Sequence, residues 1–194
     1  MVNVLSSSEF DLVEKTNPIV IWDGVPEFEP TSTDDSALKF IATYGGMNRM
    51  LFEFGTWIGR SALAFSKNFR SVTTMDYHGA SDLQYPYEHQ GQPCRPGELI
   101  LDKANVKFIN ENSLTYNFDK YNNYFDAVFV DGNHSIDGCT TDINSALKIT
   151  KQKSLIFIHD YGNLGMGVRA AVDQYNHPSK HYLQDLDLII FINQ

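Results

Sequence analysis

Five short polar clusters in this chain combine residue types and spacings that chemistry can use. In the first, an apolar run ends in Glu53, Gly55 and Gly59 follow four apart, and an amphipathic run begins at Ser61. Glycines there let the backbone approach a ligand at a helix start. A carboxylate beside them suits a cationic or hydroxyl-bearing ligand and repels a pyrophosphate. The spacing ExGxxxG matches neither the GxGxxG dinucleotide fingerprint nor the lysine-bearing phosphate loop. The second cluster is Asp76, 23 residues after Glu53. It ends a β-branched run, where an acid can accept hydrogen bonds from both hydroxyls of a ribose. Asn112 and Ser113 form the third, an amide and a hydroxyl able to meet an adenine edge. The fourth is Asp131-Gly132-Asn133-His134: the Asp can hold a metal, and the His can take a proton near neutral pH. The fifth, His159-Asp160, adds a second acid, and two carboxylates on adjacent strand ends can share a divalent cation. Each cluster also has a plain structural counterpart: a strand-to-helix turn, a turn aspartate, loop polar residues, an Asp capping the next helix near Ser135, a solvated strand end.

The elements that must position these residues alternate. The segment 31–44 offers N-cap candidates and then Ala37, Phe40, Ile41 and Tyr44 on one face, which predicts a helix ended by Gly45-Gly46. Beyond it come strand 50–54, helix 59–68, strand 71–76, a loop of about twenty residues, helix 97–105, strand 106–110 and strand 125–131. Then follow helix 136–149 with Ile136, Ile143, Ala146 and Leu147 inward, strand 154–160, a helical stripe of Val168, Ala171, Val172 and Tyr175, and strand 186–193. Strands apolar throughout are those covered on both faces. The pattern predicts an α/β fold: a single Rossmann-like, doubly wound, mostly parallel sheet with helices on both faces. One domain is expected over 1–194, with 1–31 an irregular N-terminal extension broken by Pro18, Pro26 and Pro30, and 32–194 the core. In such sheets ligands bind beyond the carboxyl ends of the strands, and all five clusters fall on that edge. Their coincidence there favours a site.

Composition narrows the function. With 42% hydrophobic and 20% charged residues, the 194-residue chain has an ordinary globular make-up. A net charge of -9 without a basic run argues against a nucleic-acid partner. No apolar stretch is long enough to span a membrane, and the N-terminus lacks the regions of a signal peptide, so no membrane partner and a cytoplasmic location are expected. Cys94 and Cys139 have no metal-ligand or CxxC spacing. The other histidines, His78, His89, His177 and His181, read as surface or loop residues. Tyr85 and Tyr87 in the long loop either line a pocket or anchor that loop.

The set EFGTWIGRS, TTMD, FVDGNHSIDG and FIHDYGNLGMGVRAAVDQY resembles the class I S-adenosylmethionine-dependent methyltransferases. More narrowly, it is similar to the small-molecule O-methyltransferase-like branch with DGxH and HD elements. The resemblance runs from about residue 33 to the C-terminus. It implies S-adenosyl-L-methionine as cofactor, with Glu53, Gly55 and Gly59 turning around its methionine and ribose parts. Thr56, Trp57 and Ser61 would lie close to it, Asp76 would bind the ribose hydroxyls, and Tyr77 would flank the adenine. Asn112, where relatives more usually carry an acid, and Ser113 would meet the adenine amino group. Asp131 would border the cofactor, and with Asp160 it matches positions that hold Mg²⁺ in metal-dependent members. His134 matches a histidine that acts as general base in some relatives, which makes His134 and Asp131 the catalytic candidates.

The resemblance has departures. Metal-dependent relatives often carry Glu before, or Asn after, the second aspartate; here stand His159 and Tyr161. An imidazole from His159 would suit Mn²⁺ or iron better than Mg²⁺, so a divalent metal, Mg²⁺ or Mn²⁺, is an option rather than a requirement. About sixteen residues follow the last helix, little room for the usual final pair of strands. The expected function is methyl transfer to a small-molecule substrate, with a hydroxyl as acceptor. The alternatives are a cofactor-binding sensor or degenerate enzyme, and a transferase moving another group of the same cofactor. The acceptor is not readable, and a homo-oligomer remains open.

Overall fold

The computed structural model describes residues 2–5, 32–78, 87–89 and 92–194. Expectations for residues 6–31, for Tyr85 and for the side chains of Tyr87 and His89 lie outside the described residues. The elements are β1 (Asn3–Leu5), α1 (Ser32–Ala42), β2 (Gly46–Phe54), α2 (Arg60–Ser66), β3 (Phe69–Asp76), β4 (Tyr87–His89), β5 (Gln92–Cys94), β6 (Val106–Asn110), β7 (Phe125–Val130), α3 (Ile136–Ile149), β8 (Thr150–His159), α4 (Val168–Asp173), β9 (Lys180–Leu183) and β10 (Leu188–Ile192). The main sheet has the order β1-β9-β10-β8-β7-β2-β3-β6, and β4-β5 form a separate antiparallel pair. All neighbours in the main sheet run parallel except at β10, which is antiparallel to both β8 and β9.

Side chains of successive strand residues point to opposite faces, and here both faces are apolar. Leu51, Phe129 and Phe157 pack with Leu38, Ile41, Leu63 and Phe65 of α1 and α2. Their neighbours Phe52, Val128 and Ile156 pack with Ile143, Ala146, Val168 and Val172 of α3 and α4. This is the doubly wound α/β sheet that the alternation of elements predicts. Each fully buried Phe or Ile contributes roughly 1.5–3 kcal/mol over an exposed one. Ser135 starts α3 as an N-cap, its hydroxyl accepting the Gly138 N–H at 3.1 Å. Among the described residues no helix is long and apolar enough to cross a membrane.

Five local expectations are corrected. The helix expected over 97–105 is a single 3-10 turn at Glu98–Ile100. The N–H groups of Gly97 and Leu99, which a helix starting here would leave unpaired, donate to the carbonyls of Trp57 and Ile58 and dock this turn on the segment before α2. The final pair of strands does fit: β9 and β10 are joined through a 3-10 turn, Gln184–Leu186, and a left-handed Asp187. Gly46 opens β2 rather than closing the preceding helix. Ile136, expected inward, is 46% exposed, because it lies in the first turn of α3, beyond the sheet edge. Asn3–Leu5, within the stretch read as irregular, pairs with β9.

Candidate functional site

The turn after β2 is tight. Gly55 and Gly59 have φ values of 95° and 90°, and Trp57 between them has 45°. A bulky residue in the left-handed region is strained by about 1–2 kcal/mol, so something must hold it there. Asp76, at the end of β3, does this: its Oδ2 accepts the backbone N–H groups of Thr56 at 3.0 Å and Trp57 at 2.8 Å. Its Oδ1 accepts the Tyr77 N–H at 2.8 Å. A carboxylate offers about four acceptor sites, and three are in use. The expectation that Asp76 takes both hydroxyls of a ribose therefore carries a condition: at least one turn N–H must be exchanged for a ligand hydroxyl.

Beside this turn lies a cleft of about 160 Å³ lined by Leu38, Gly55, Thr56, Trp57, Arg60, Ser61, Asp76 and Asp131. Leu38 and Arg60 were not anticipated. Leu38 belongs to the apolar stripe of α1, and only the packing of α1 on α2 brings it here. Arg60 directly follows Gly59, and that position beside the turn is the signal that could have found it. Tyr77, at 57% exposure, lies outside the cleft lining. Asn112 builds its own turn, its Oδ1 accepting the Leu114 N–H at 3.0 Å. The Ser113 hydroxyl bonds the carboxyl of Asp142, a buried residue on α3. Asp142 gave no signal beyond a charge within a helical apolar face. His78, read as a surface or loop residue, has a side chain only 5% exposed, with Nε2 3.5 Å from Asp76 Oδ2.

Glu53 does not reach the cleft lining. It is fully buried, and its Oε2 accepts the Thr74 hydroxyl at 2.5 Å, from the residue directly across on β3. Thr74 Oγ1 lies 2.7 Å from Thr56 Oγ1, which links the acid to the turn. Burial pushes the Glu53 carboxyl up to about 8, against the pull of the Ser61 and Thr74 hydroxyls and with added push from Asp131 and Asp76. At neutral pH it is a neutral acid beneath the turn, whereas the sequence suggested a charged acid facing a ligand.

The ends of β7 and β8 bring the other two clusters together. His134 Nε2 lies 2.9 Å from Asp160 Oδ2 and 3.5 Å from Asp131 Oδ1. His159 Nδ1 lies 3.6 Å from each of the same two oxygens. Asp160 adopts φ 60°, and Gly167 N–H donates to the His134 carbonyl at 2.8 Å, which fastens the loop after β8 to the DGNH turn. Hydrogen bonds to Asp131 and Asp160 raise His134 to about 9 against the opposing effect of burial. For His159 burial disfavours the charged ring, but the same two carboxylates outweigh it and lift the group to about 10. His134 and His159 in turn hold Asp160 well below the usual carboxylate range. Burial works to raise Asp131, yet the His134 and His159 rings beside it keep it low. Within the cluster the two carboxylates and the two imidazoles each favour the other's charged form. For His134 to take a proton from a ligand, the proton that Asp131 and Asp160 favour on its ring must first leave.

Asp131, His134 and Asp160 each offer one ligand atom, all within 4.8 Å of one another. The residues present therefore fit a divalent ion, and the mixed oxygen–nitrogen set suits Mn²⁺ better than Mg²⁺. His159 stands outside this group of three.

No curated protein matches the chain in sequence. Solved structures match in fold. The O-methyltransferase NovP superposes with a TM-score of 0.58 at 13% identity, over 84% of this chain and 78% of that one. The tRNA (m1A58) methyltransferase TrmI from Aquifex aeolicus gives 0.54 at 17% identity, over 76% of this chain and 56% of that one. This chain spans about half the length of several such relatives, 50% in the case of YcgJ from Bacillus subtilis, where the TM-score is 0.48, the identity 13% and the coverage of this chain 64%. At these identities the likeness is one of fold. In sequence, residues 52–161, more than half of the chain and everything from the last residues of β2 to the corner that follows β8, match the family described as methyltransferase domain, and the chain belongs to that family.

Proposed function

We propose that this chain transfers the methyl group of S-adenosylmethionine to a hydroxyl of a small molecule. One observation carries this reading: Asp131 belongs both to the wall of the cleft beside the glycine turn and to the Asp131–His134–Asp160 cluster. A donor in the cleft and an acceptor at the cluster would therefore be neighbours. The donor is a sulfonium that also carries an ammonium group. Asp76 and Asp131 in the cleft wall give the negative field that such a cation favours. A net charge of -9 disfavours a nucleic acid as acceptor.

Methyl transfer is an in-line displacement, and the protein's part is to position the reactants and exclude water. The turn Gly55–Gly59 would hold the methionine and ribose parts, and Asp76 would take ribose hydroxyls in exchange for turn N–H groups. Tyr77 and Asn112 would stand on the adenine side. The acceptor hydroxyl must also lose its proton, and His134 is the cluster's group for that task once its own proton has left. Alternatively, a divalent cation held by Asp131, His134 and Asp160 would take the place of the His134 proton and would itself lower the pKa of the acceptor oxygen.

Calorimetry with S-adenosylmethionine and S-adenosylhomocysteine, with and without Mn²⁺ or Mg²⁺, tests the reading; absence of binding in every condition sinks it. Asp76→Ala is expected to weaken S-adenosylhomocysteine binding by at least about tenfold, since it removes both the ribose acceptor and the brace of the turn. A folded variant of unchanged affinity refutes that role. With a panel of small hydroxyl compounds as acceptors, His134→Ala is expected to lower turnover by about 10²-fold while cofactor affinity stays near that of the parent. Unchanged turnover removes His134 from the mechanism.

A further inference from the structure

Asp142 takes no part in the reaction as outlined, yet it is a carboxyl placed where an apolar residue would be ordinary. It is 1% exposed, on the face of α3 that buries Cys139, Ile143 and Ala146. Burying a polar group costs free energy unless it is hydrogen-bonded, and the bonds Asp142 makes are informative. Its carboxyl accepts the Ser113 hydroxyl from the loop after β6 and the Asn133 backbone N–H from the turn after β7. These loops leave strands that are not neighbours, since β3 and β2 lie between them.

The same carboxyl also backs the peptide of Gly132. A Cβ on Gly132 would come 3.1 Å from Asp142 Oδ2 and 3.3 Å from both the Gly55 nitrogen and the Phe54 carbonyl carbon. The chain there is pressed between Asp142 on one side and the glycine turn on the other. Asp142 Oδ1 has no hydrogen-bond partner. Burial, partly offset by Ser113 and the Asn133 N–H, raises the group to about 6, with a smaller push from Asp76.

We propose that Asp142 is a positioning residue: by tying Ser113 to Asn133 and backing Gly132, it fixes the separation between the base end and the methyl-acceptor end of the site. The inference rests on the cofactor reading given above. Small misplacements at a methyl-transfer site are costly, since about 1 Å can lower a rate by 10²-fold.

The test compares the full chain with Asp142→Leu and Asp142→Asn, measuring S-adenosylhomocysteine affinity by calorimetry, stability by thermal unfolding and exchange of the Asn133 amide proton by NMR. Leu removes the buried polar group, so stability is expected to hold or rise while affinity falls by about tenfold. Asn keeps one acceptor oxygen and is expected to recover most of that loss. The Asn133 amide should exchange faster in Asp142→Leu and be protected again in Asp142→Asn. A folded Asp142→Leu with parental affinity overturns the inference and leaves the cofactor reading standing. A parent that binds no S-adenosylhomocysteine overturns the reading, and with it the proposed role, even if the amide exchange confirms the tie to Asn133. Should Asp142→Leu not fold, Ser113→Ala severs one tie alone, and parental affinity in that variant overturns the inference equally.

Discussion

Gly55→Ala is expected to destabilise the protein by roughly 3–5 kcal/mol and to abolish cofactor binding. A Cβ at this position would sit 2.0 Å from the Asp131 carbonyl oxygen, 2.6 Å from its carbon and 2.8 Å from the Gly132 Cα. All three are backbone atoms, so no rotamer change relieves the clash. The φ of 95° adds left-handed strain for any L side chain. The only escape is to part β2 from β7 at their carboxyl ends. That parting would break the 2.9 Å bond from the Asp131 N–H to the Phe54 carbonyl and move the turn Asp76 braces. Against a typical stability of about 5–15 kcal/mol, the loss is a large fraction. Gly165→Ala is the control: an added Cβ there meets nothing closer than the Asn163 Oδ1 at 3.4 Å. Urea unfolding of both variants checks the contrast, and near-equal midpoints would falsify the steric account.

Glu53→Gln is expected to raise stability at pH 8 by about 2–4 kcal/mol and to change it little at pH 5. The folded carboxyl titrates at about 8, above its ordinary 4.5. The folded state therefore holds this proton more tightly than the unfolded chain does. Its stabilising contribution is complete below the unfolded value and is lost as pH rises through 8, at about 1.4 kcal/mol per pH unit across the window. Gln keeps an oxygen to accept the Thr74 hydroxyl and has no charge to desolvate. Denaturant midpoints of parent and variant at half-unit steps from pH 5 to 8.5 should diverge steadily. A constant offset would show that burial of this acid is not what couples stability to pH. The same substitution is expected to weaken cofactor binding, because a carboxyl beneath the turn can ionise in response to a cation above it and an amide cannot.

What the sequence disclosed, and what it withheld, follows physical lines. Glycine spacing, apolar strand runs and the DGNH and HD pairs are local signals, and they located the turn, five parallel strands and the corner where Asp131, His134 and Asp160 meet. Properties that depend on a partner far along the chain were not legible. Asp76 looks like a free acid until the turn N–H groups are seen to occupy it. Glu53 looks charged until its burial is known. His134 looks like a base until two carboxylates from different strand ends are found on one ring nitrogen. The segment 97–105 has a helical pattern, but only its first turn forms, and that turn is docked through the Gly97 and Leu99 N–H groups on the carbonyls of Trp57 and Ile58.

Those two bonds also close a circuit. Tyr77 N–H reaches Asp76, Asp76 reaches the Trp57 N–H, and the Trp57 carbonyl accepts from Gly97. The chain leaving β3 and the chain returning toward β6 are thus both moored at the same residue. In polymer terms the intervening segment is a loop whose ends are already joined, so doubling its length would cost only about 0.6 kcal/mol of closure entropy. The sheet would not register the change. A change in the number of residues between the two moorings would thus be absorbed at Trp57, and the pairing of β3 with β6 would be insulated from it.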